Sequence, residues 1–164
     1  MQDFTRLLQR LVDSGLEFVI VGGYAAVTHG SSLVTRDLDI CVTLSNETVE
    51  KLRAALAEWH PRHRMTPDEL SFLEFPKIGP VQNLYLRTDV GVIDILSSIF
   101  GVGDFARLKE TAEDFEIGGR TYHVISLDDL IAAKEAMGRE KDLLAAKELR
   151  AIAAKRKCGH REEK

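Results

Sequence analysis

Cysteine is nearly absent. The 164 residues hold two, Cys41 and Cys158, far apart in the chain. That excludes a disulfide scaffold or a cysteine-rich zinc module and fits a reducing compartment. Long apolar runs are missing as well. The longest, Phe18 to Val21 and Gly91 to Phe100, fall far short of the roughly 20 residues that span a bilayer, and Asp94 interrupts the second. The opening Met1-Gln-Asp-Phe carries an acid and does not have the shape of a signal peptide. There is no G-x-G-x-x-G dinucleotide fingerprint, no internal repeat and no low-complexity segment. All four prolines lie between Pro61 and Pro80, so the rest of the chain is free to form regular elements. These absences lead us to expect a soluble, cytoplasmic protein that does not engage a membrane.

What is present has globular proportions. Apolar residues make up 45% and charged residues 29%, which rules out wholesale disorder and allows a real core. The formal net charge of −4 argues against a surface given over to nucleic acid. The charge is uneven: residues 1–133 hold 12 basic and 20 acidic residues, and residues 134–164 hold 10 and 6. We expect a single domain over residues 1–157. Residues 158–164 would be a charged, disordered tail, with a nucleic-acid or partner contact as the alternative.

Periodicity sketches a small mixed sheet with helices on its faces and a helical pair at the C-terminus. Phe4, Leu7, Leu8, Leu11 and Val12 form one helical stripe ended by Gly15. Leu16 to Val21 reads as a strand, Tyr24 to His29 as a short helix, Asp37 to Thr43 as a strand, and Val49, Leu52, Leu56 and Trp59 as a helix stripe. His60 to Pro80 reads as loops around a short element. Strands are expected at Leu84 to Arg87 and Val92 to Leu96, a short helix around Phe105 to Leu108, and a hairpin across Gly118-Gly119. Ser126 opens a helix to Met137, and Gly138 separates it from a last helix over Lys141 to Lys155.

Chemistry concentrates at three places. Asp37 and Asp39 are two apart on a strand and therefore share a face. Paired carboxylates repel unless a cation sits between them, and a hard divalent ion suits them; an exposed acidic edge is the alternative. Phe18-Val-Ile-Val-Gly-Gly23 runs a strand into two glycines and a short helix. Such a turn gathers backbone N–H groups where a phosphate can bind, or else it is only a tight turn. Asp94 stands between Ile93 and Ile95 in a buried run, where a carboxylate is costly unless paired or metal-bound. If the Asp94 strand lies beside the Asp37 strand, three carboxylates face the Gly-Gly turn. That is the arrangement two-metal phosphoryl transfer needs.

The combination resembles the nucleotidyltransferase superfamily with the polymerase-beta-like fold. The rest of the chain is similar to its small bacterial AbiEii-like branch. The resemblance rests on Gly22-Gly23, Thr35-Arg-Asp-Leu-Asp-Ile40, Asn83 to Leu96 with Gly101-Val-Gly-Asp-Phe105, Ser126 to Lys134, and Gly138-Arg-Glu-Lys-Asp142, across about residues 5–152. It implies that Gly22 and Gly23 hold a nucleotide's phosphates and that Asp37 and Asp39 bind Mg²⁺ or Mn²⁺. Asp94 would bind metal or act as base. Lys134 would neutralise a triphosphate from across the cleft, with a solvated helix lysine as the alternative. Arg139, Lys141 and Asp142 fit the branch motif or only brace the last helix.

The activity so implied is transfer of a nucleoside monophosphate from an NTP to a hydroxyl of RNA, protein or a small molecule. A toxin–antitoxin setting, a partner protein or a homo-oligomer is also implied. The alternative is a catalytically silent nucleotide-binding or antitoxin-like regulatory module. His29 is read as structural, with contact to a base or phosphate as the alternative, Arg36 as a surface or packing residue, and His60, Arg62, His63 and Arg64 as a solvated basic loop, with substrate contact as the alternative. Cys41 is read as a buried apolar thiol, and Trp59, Phe72 and Phe75 as packing rather than base-stacking residues.

Overall fold

The computed structural model describes residues 2–76 and 81–162. The first helix, α1 (Phe4–Asp13), is capped by Asp3, whose carboxylate accepts the Arg6 N–H at 3.0 Å. Its stripe of Leu7, Leu8 and Leu11 is fully buried. The central strands follow: β1 (Val19–Val21), then α2 (Gly22–Thr28), then β2 (Asp37–Cys41). Next come α3 (Asn46–Leu56), a single 3₁₀ turn at Ala57–Trp59, and the two-residue β3 (Arg62–His63). A hairpin, β4 (Asn83–Thr88) and β5 (Gly91–Leu96), carries the third acid. A second small hairpin, β6 (Ser98–Ile99) and β7 (Gly103–Asp104), leads into α4 (Phe105–Thr111). The chain ends in the hairpin β8 (Glu113–Ile117) and β9 (Arg120–Val124), then α5 (Leu127–Met137) and α6 (Glu140–Glu162).

Seven strands form one mixed sheet in the order β3-β4-β5-β2-β1-β9-β8. β2 lies parallel to β5 and antiparallel to β1, and β1 lies parallel to β9. Register decides the two faces. Ile40 stands opposite Ile20 on one side and Ile95 on the other, and Leu38 stands opposite Ile93. These residues and Leu84 and Leu86 of β4 are at most 2% exposed and form the apolar face. The opposite face of the same strands receives Asp37, Asp39, Asp94 and Tyr85. A one-residue slip of β2 would drive both aspartates into the apolar layer, so the hydrophobic face fixes the register that brings the acids together.

Several boundaries differ from those read in the sequence. β1 is shorter than Leu16 to Val21, because its ladder with β2 closes at the Val19–Cys41 pair. The hairpin of β6 and β7 was not read. Its turn depends on Gly101 and Gly103 in left-handed backbone, and a Cβ on Gly101 would collide with Ala136 of α5. The short element expected among the loops after the 3₁₀ turn is a strand: β3 pairs with β4, and Arg62 bridges to Ser71. The last helix runs to Glu162, well past Lys155, so residues 158–162 continue a helix instead of forming a separate disordered tail. Lysine and arginine favour helix, and Arg156 is held from both sides, donating to Glu113 and to His29 Nδ1 at 3.1 Å each. Residues 163 and 164, and Pro80, lie outside the described residues. Among the described residues no helix is long and apolar enough to cross a membrane.

Ile93 has no exposed surface and is flanked in register by Leu38 and Leu86. Ile93→Ala is expected to cost about 2–5 kcal/mol through lost burial and the cavity left behind. Urea unfolding would read this as a lower midpoint at unchanged m.

Candidate active site

The site is built on one cross-strand row. Asp94 on β5 pairs with Asp39 on β2 on one side and with Tyr85 on β4 on the other. Asp39 pairs in turn with Val21, the last residue of β1. Asp37 sits two positions back on β2, opposite Val92, with its side chain on the same face. The turn after Val21 therefore begins at the acidic row. Gly22 has φ +67°, and a Cβ there would collide with Asp39 Oδ2. Both conformation and space demand glycine. Gly23 has a different neighbour: a Cβ would come within 2.8 Å of Thr35 Oγ1. That hydroxyl donates to the Asp37 carbonyl at 2.9 Å, so Gly23 lets the loop before β2 pack against the turn.

The charges are poorly compensated. Asp94 is 8% exposed, and burial raises its pKa against the opposing pull of Arg64. The Asp39 carboxyl is pushed up to about 7, first by burial and then by the charges of Asp94 and Asp37; Lys134 and Arg64 pull it back only in part. Burial and the two neighbouring carboxylates thus favour the protonated form of Asp39. A hydrogen bond between Asp39 and Asp94 acts in the opposite direction on Asp94.

Arg64 is the residue that sequence reasoning missed. It follows β3, and its backbone N–H donates to the Tyr85 carbonyl at 3.0 Å, extending the ladder by one residue. Its side chain then crosses Tyr85, with the guanidinium carbon 5.4 Å from the ring centroid. There it grips Asp94 with a fork: Nη2 donates to Oδ1 at 2.7 Å and to Oδ2 at 2.6 Å, and Nε donates to Oδ1 at 3.2 Å. The available signal was the alternation Arg62-His63-Arg64. His63 is buried edge-on between Phe72 and Phe75, which turns both arginines to the other face.

Lys134 of α5 faces the row from across the cleft. With Gly22, Asp39, Leu96, Ile99 and Met137 it lines a pocket of about 120 Å³. Its ammonium lies 3.8 Å from Asp142, a carboxylate only 2% exposed that Arg139 also binds. The Arg139 hydrogen bond and the surrounding cations hold Asp142 below the usual carboxylate range. The structure thus brings together Asp37, Asp39, Asp94, Gly22 and Lys134, and turns Gly23 toward Thr35. Arg36 and Lys141 are exposed. His29 is buried with Nε2 2.7 Å from the Ile125 carbonyl. Trp59 is buried under Arg10, Phe72 is fully buried and Phe75 is half exposed. Cys41 is a buried thiol pushed up to about 12 by burial.

Among the described residues no three His, Cys, Asp or Glu side chains are arranged as a metal cluster. The Arg64 fork takes both oxygens of Asp94. The donor set still suits a hard cation. Three carboxylates share a face, and Asp39 is driven toward protonation by burial and by the charges of the other two.

No protein-family model and no curated protein matches the chain by sequence. Solved structures do match it in shape. Lincosamide antibiotic adenylyltransferase LnuA, in its lincomycin-bound form, is 15% identical with a TM-score of 0.60, over 91% of this chain and 95% of that one. TM1012 of Thermotoga maritima, provisionally named a nucleotidyltransferase, is 17% identical with a TM-score of 0.55, over 94% and 96%. An antigenic nucleotidyltransferase-like protein of Paracoccidioides brasiliensis is 16% identical with a TM-score of 0.50, over 90% and 72%. The chain has the nucleotidyltransferase fold, a mixed sheet flanked by helices with a C-terminal helical pair.

The raised Asp39 pKa fixes the sign of a pH effect. The group binds its proton more tightly folded than unfolded, so its contribution is greatest at low pH and is lost as pH rises toward about 7. The metal-free protein should therefore gain thermal stability as pH falls from 8 to about 5. Asp39→Asn should show a smaller gain. Calorimetry of both proteins across that window checks it, and parallel curves would remove Asp39 as the source.

Proposed function

We propose that the chain is a nucleotidyltransferase that moves a nucleoside monophosphate from an NTP to an acceptor hydroxyl and releases pyrophosphate. The observation that carries this reading is the row of Asp39 and Asp94 beside Asp37, facing Gly22 and Lys134, on a nucleotidyltransferase fold. The acidic strand, the Asp94 region and the Gly138 to Asp142 segment support assignment to the AbiEii-like branch.

Asp37 and Asp39, with Asp94, would hold Mg²⁺ or Mn²⁺. The bound ion would supply charge neutralisation and polarisation at the reacting phosphate. The chain's own groups do the rest. The Gly22 turn lets a phosphate approach the backbone beside Asp39. Lys134 places positive charge opposite the acids, where the triphosphate's charge must be met. The acceptor oxygen attacks the α-phosphorus, and the bond to the β,γ-pyrophosphate breaks. Where Asp94 serves as the base instead of a metal ligand, the acceptor proton passes to its carboxylate, whose raised pKa suits that role. The acceptor belongs to one of three classes: RNA, a protein or a small molecule. An NTP substrate and two free cysteines fit a cytoplasmic setting, and an antitoxin-like partner protein fits the branch.

One observation favours a second reading, a nucleotide-binding regulatory module without turnover: the Arg64 fork occupies both oxygens of Asp94.

The test supplies α-labelled NTPs, one at a time, with Mg²⁺ and a cell extract separated into RNA, protein and metabolite fractions. Label should enter one fraction with wild type. Asp39→Asn and Asp94→Asn should lower the rate about 10²–10⁴-fold while the circular dichroism spectrum is kept. Lys134→Met should cost about 10²-fold. NTP binding with no label in any fraction would favour the regulatory module. Undiminished transfer by Asp39→Asn would overturn the mechanism.

A further inference from the structure

We propose that Arg64 is a cationic latch: it competes with a divalent metal for the Asp94 carboxylate and so sets the cation concentration at which the site loads. The inference rests on the nucleotidyltransferase reading of the site.

The geometry supplies each part of a latch. The bolt is the fork of three hydrogen bonds between 2.6 and 3.2 Å that takes both Asp94 oxygens. The fork uses three of the roughly four lone-pair sites of the carboxylate, so the guanidinium and a hard cation compete for it. The keep is Tyr85, the neighbour of Asp94 in the ladder, whose ring lies under the guanidinium. The hinge is the end of the sheet. Arg64 directly follows β3, a two-residue strand at one edge, and its side chain is 22% exposed. On release the side chain can swing toward the exposed Met65, whose sulfur is already 3.4 Å from Nη1, without disturbing the apolar face. Among the described residues nothing else in the site answers the acids so directly. The next cation, Lys134, is bound to Asp142 and offsets Asp39 only in part.

A structural ion pair and a latch differ in one consequence. If the pair only braces β3, removing the guanidinium leaves metal binding unchanged or weaker. If it is a latch, the open form is the binding-competent one, and its apparent affinity is reduced by its small population. Removing the latch then tightens the metal.

The experiment titrates the full chain with Mn²⁺ alone, by electron paramagnetic resonance of the free ion. Wild type, Arg64→Gln, Arg64→Lys and Tyr85→Leu are compared, each checked by circular dichroism. Arg64→Gln should bind Mn²⁺ about tenfold more tightly than wild type. Arg64→Lys, with a charge but no fork, should fall between them. Tyr85→Leu keeps Arg64 but removes the ring beneath it and should tighten binding by a smaller factor; it decides the matter should Arg64→Gln fail to fold. Wild-type binding that Arg64→Gln and Tyr85→Leu leave unchanged or weaken overturns the latch alone. No Mn²⁺ binding by any of the four proteins overturns the latch together with the metal reading of the site.

Discussion

Two aspartates in one rung of a parallel strand pair are a standing electrostatic problem. Asp39 and Asp94 are held opposite each other by the β2–β5 ladder, in surroundings dry enough that burial is the largest influence on both. Neither strand can slip to relieve the repulsion, because Leu38, Ile40, Ile93 and Ile95 would then leave the apolar face. The hydrophobic layer thus holds the acids in place against their own charge. A protein with no use for negative charge there would be more stable with a neutral side chain in place of Asp39.

The surroundings of the row follow from that constraint. Gly22 is glycine because the Asp39 carboxylate fills the place of its Cβ. Arg64 reaches over Tyr85 because Asp94 is otherwise a buried, unpaired charge. Lys134 approaches from a different layer, and its own position depends on Asp142, which is buried among cations and held ionised by Arg139. The Gly138 turn, with φ +70°, lets α6 follow α5 closely enough for Asp142 to face Lys134. Counter-charge comes from both sides, yet Lys134 and Arg64 only partly offset the burial and the charges of Asp94 and Asp37 that push the Asp39 carboxyl up. A site with residual negative charge is one into which a cation enters with a gain.

The parts that were legible in the sequence are those fixed by local pattern. The stripe of α1, the Ser126 cap of α5 and the Gly118-Gly119 hairpin follow from periodicity and turn chemistry. The shared face of Asp37 and Asp39 needs only the two-residue strand repeat. The adjacency of β5 to β2 is a long-range pairing that no window of sequence dictates; only the resemblance to a known arrangement suggested it. The hairpin of β6 and β7 was invisible because its strands are two residues each and its turn is shaped by contact with α5. The α6 boundary was misread because a run of basic residues reads as a frayed end, whereas Arg156 is anchored by Glu113 and His29.

Arg64 escaped for a related reason, and the reason bears on how the site works. It comes from the stretch with the least pattern, rich in proline and without periodicity, where two residues of strand suffice to aim it. The acids, by contrast, sit on strands that the core specifies completely. The site therefore joins a rigid component to an adjustable one. The carboxylates cannot move apart without breaking the sheet, and the guanidinium can leave by rotating its own side chain at a sheet edge. When a fixed excess of negative charge is met by a movable cation, exchanging that cation for another changes the charge state without changing the fold. On the proposed nucleotidyltransferase reading, the incoming groups would bring both negative charge and the metal that offsets it.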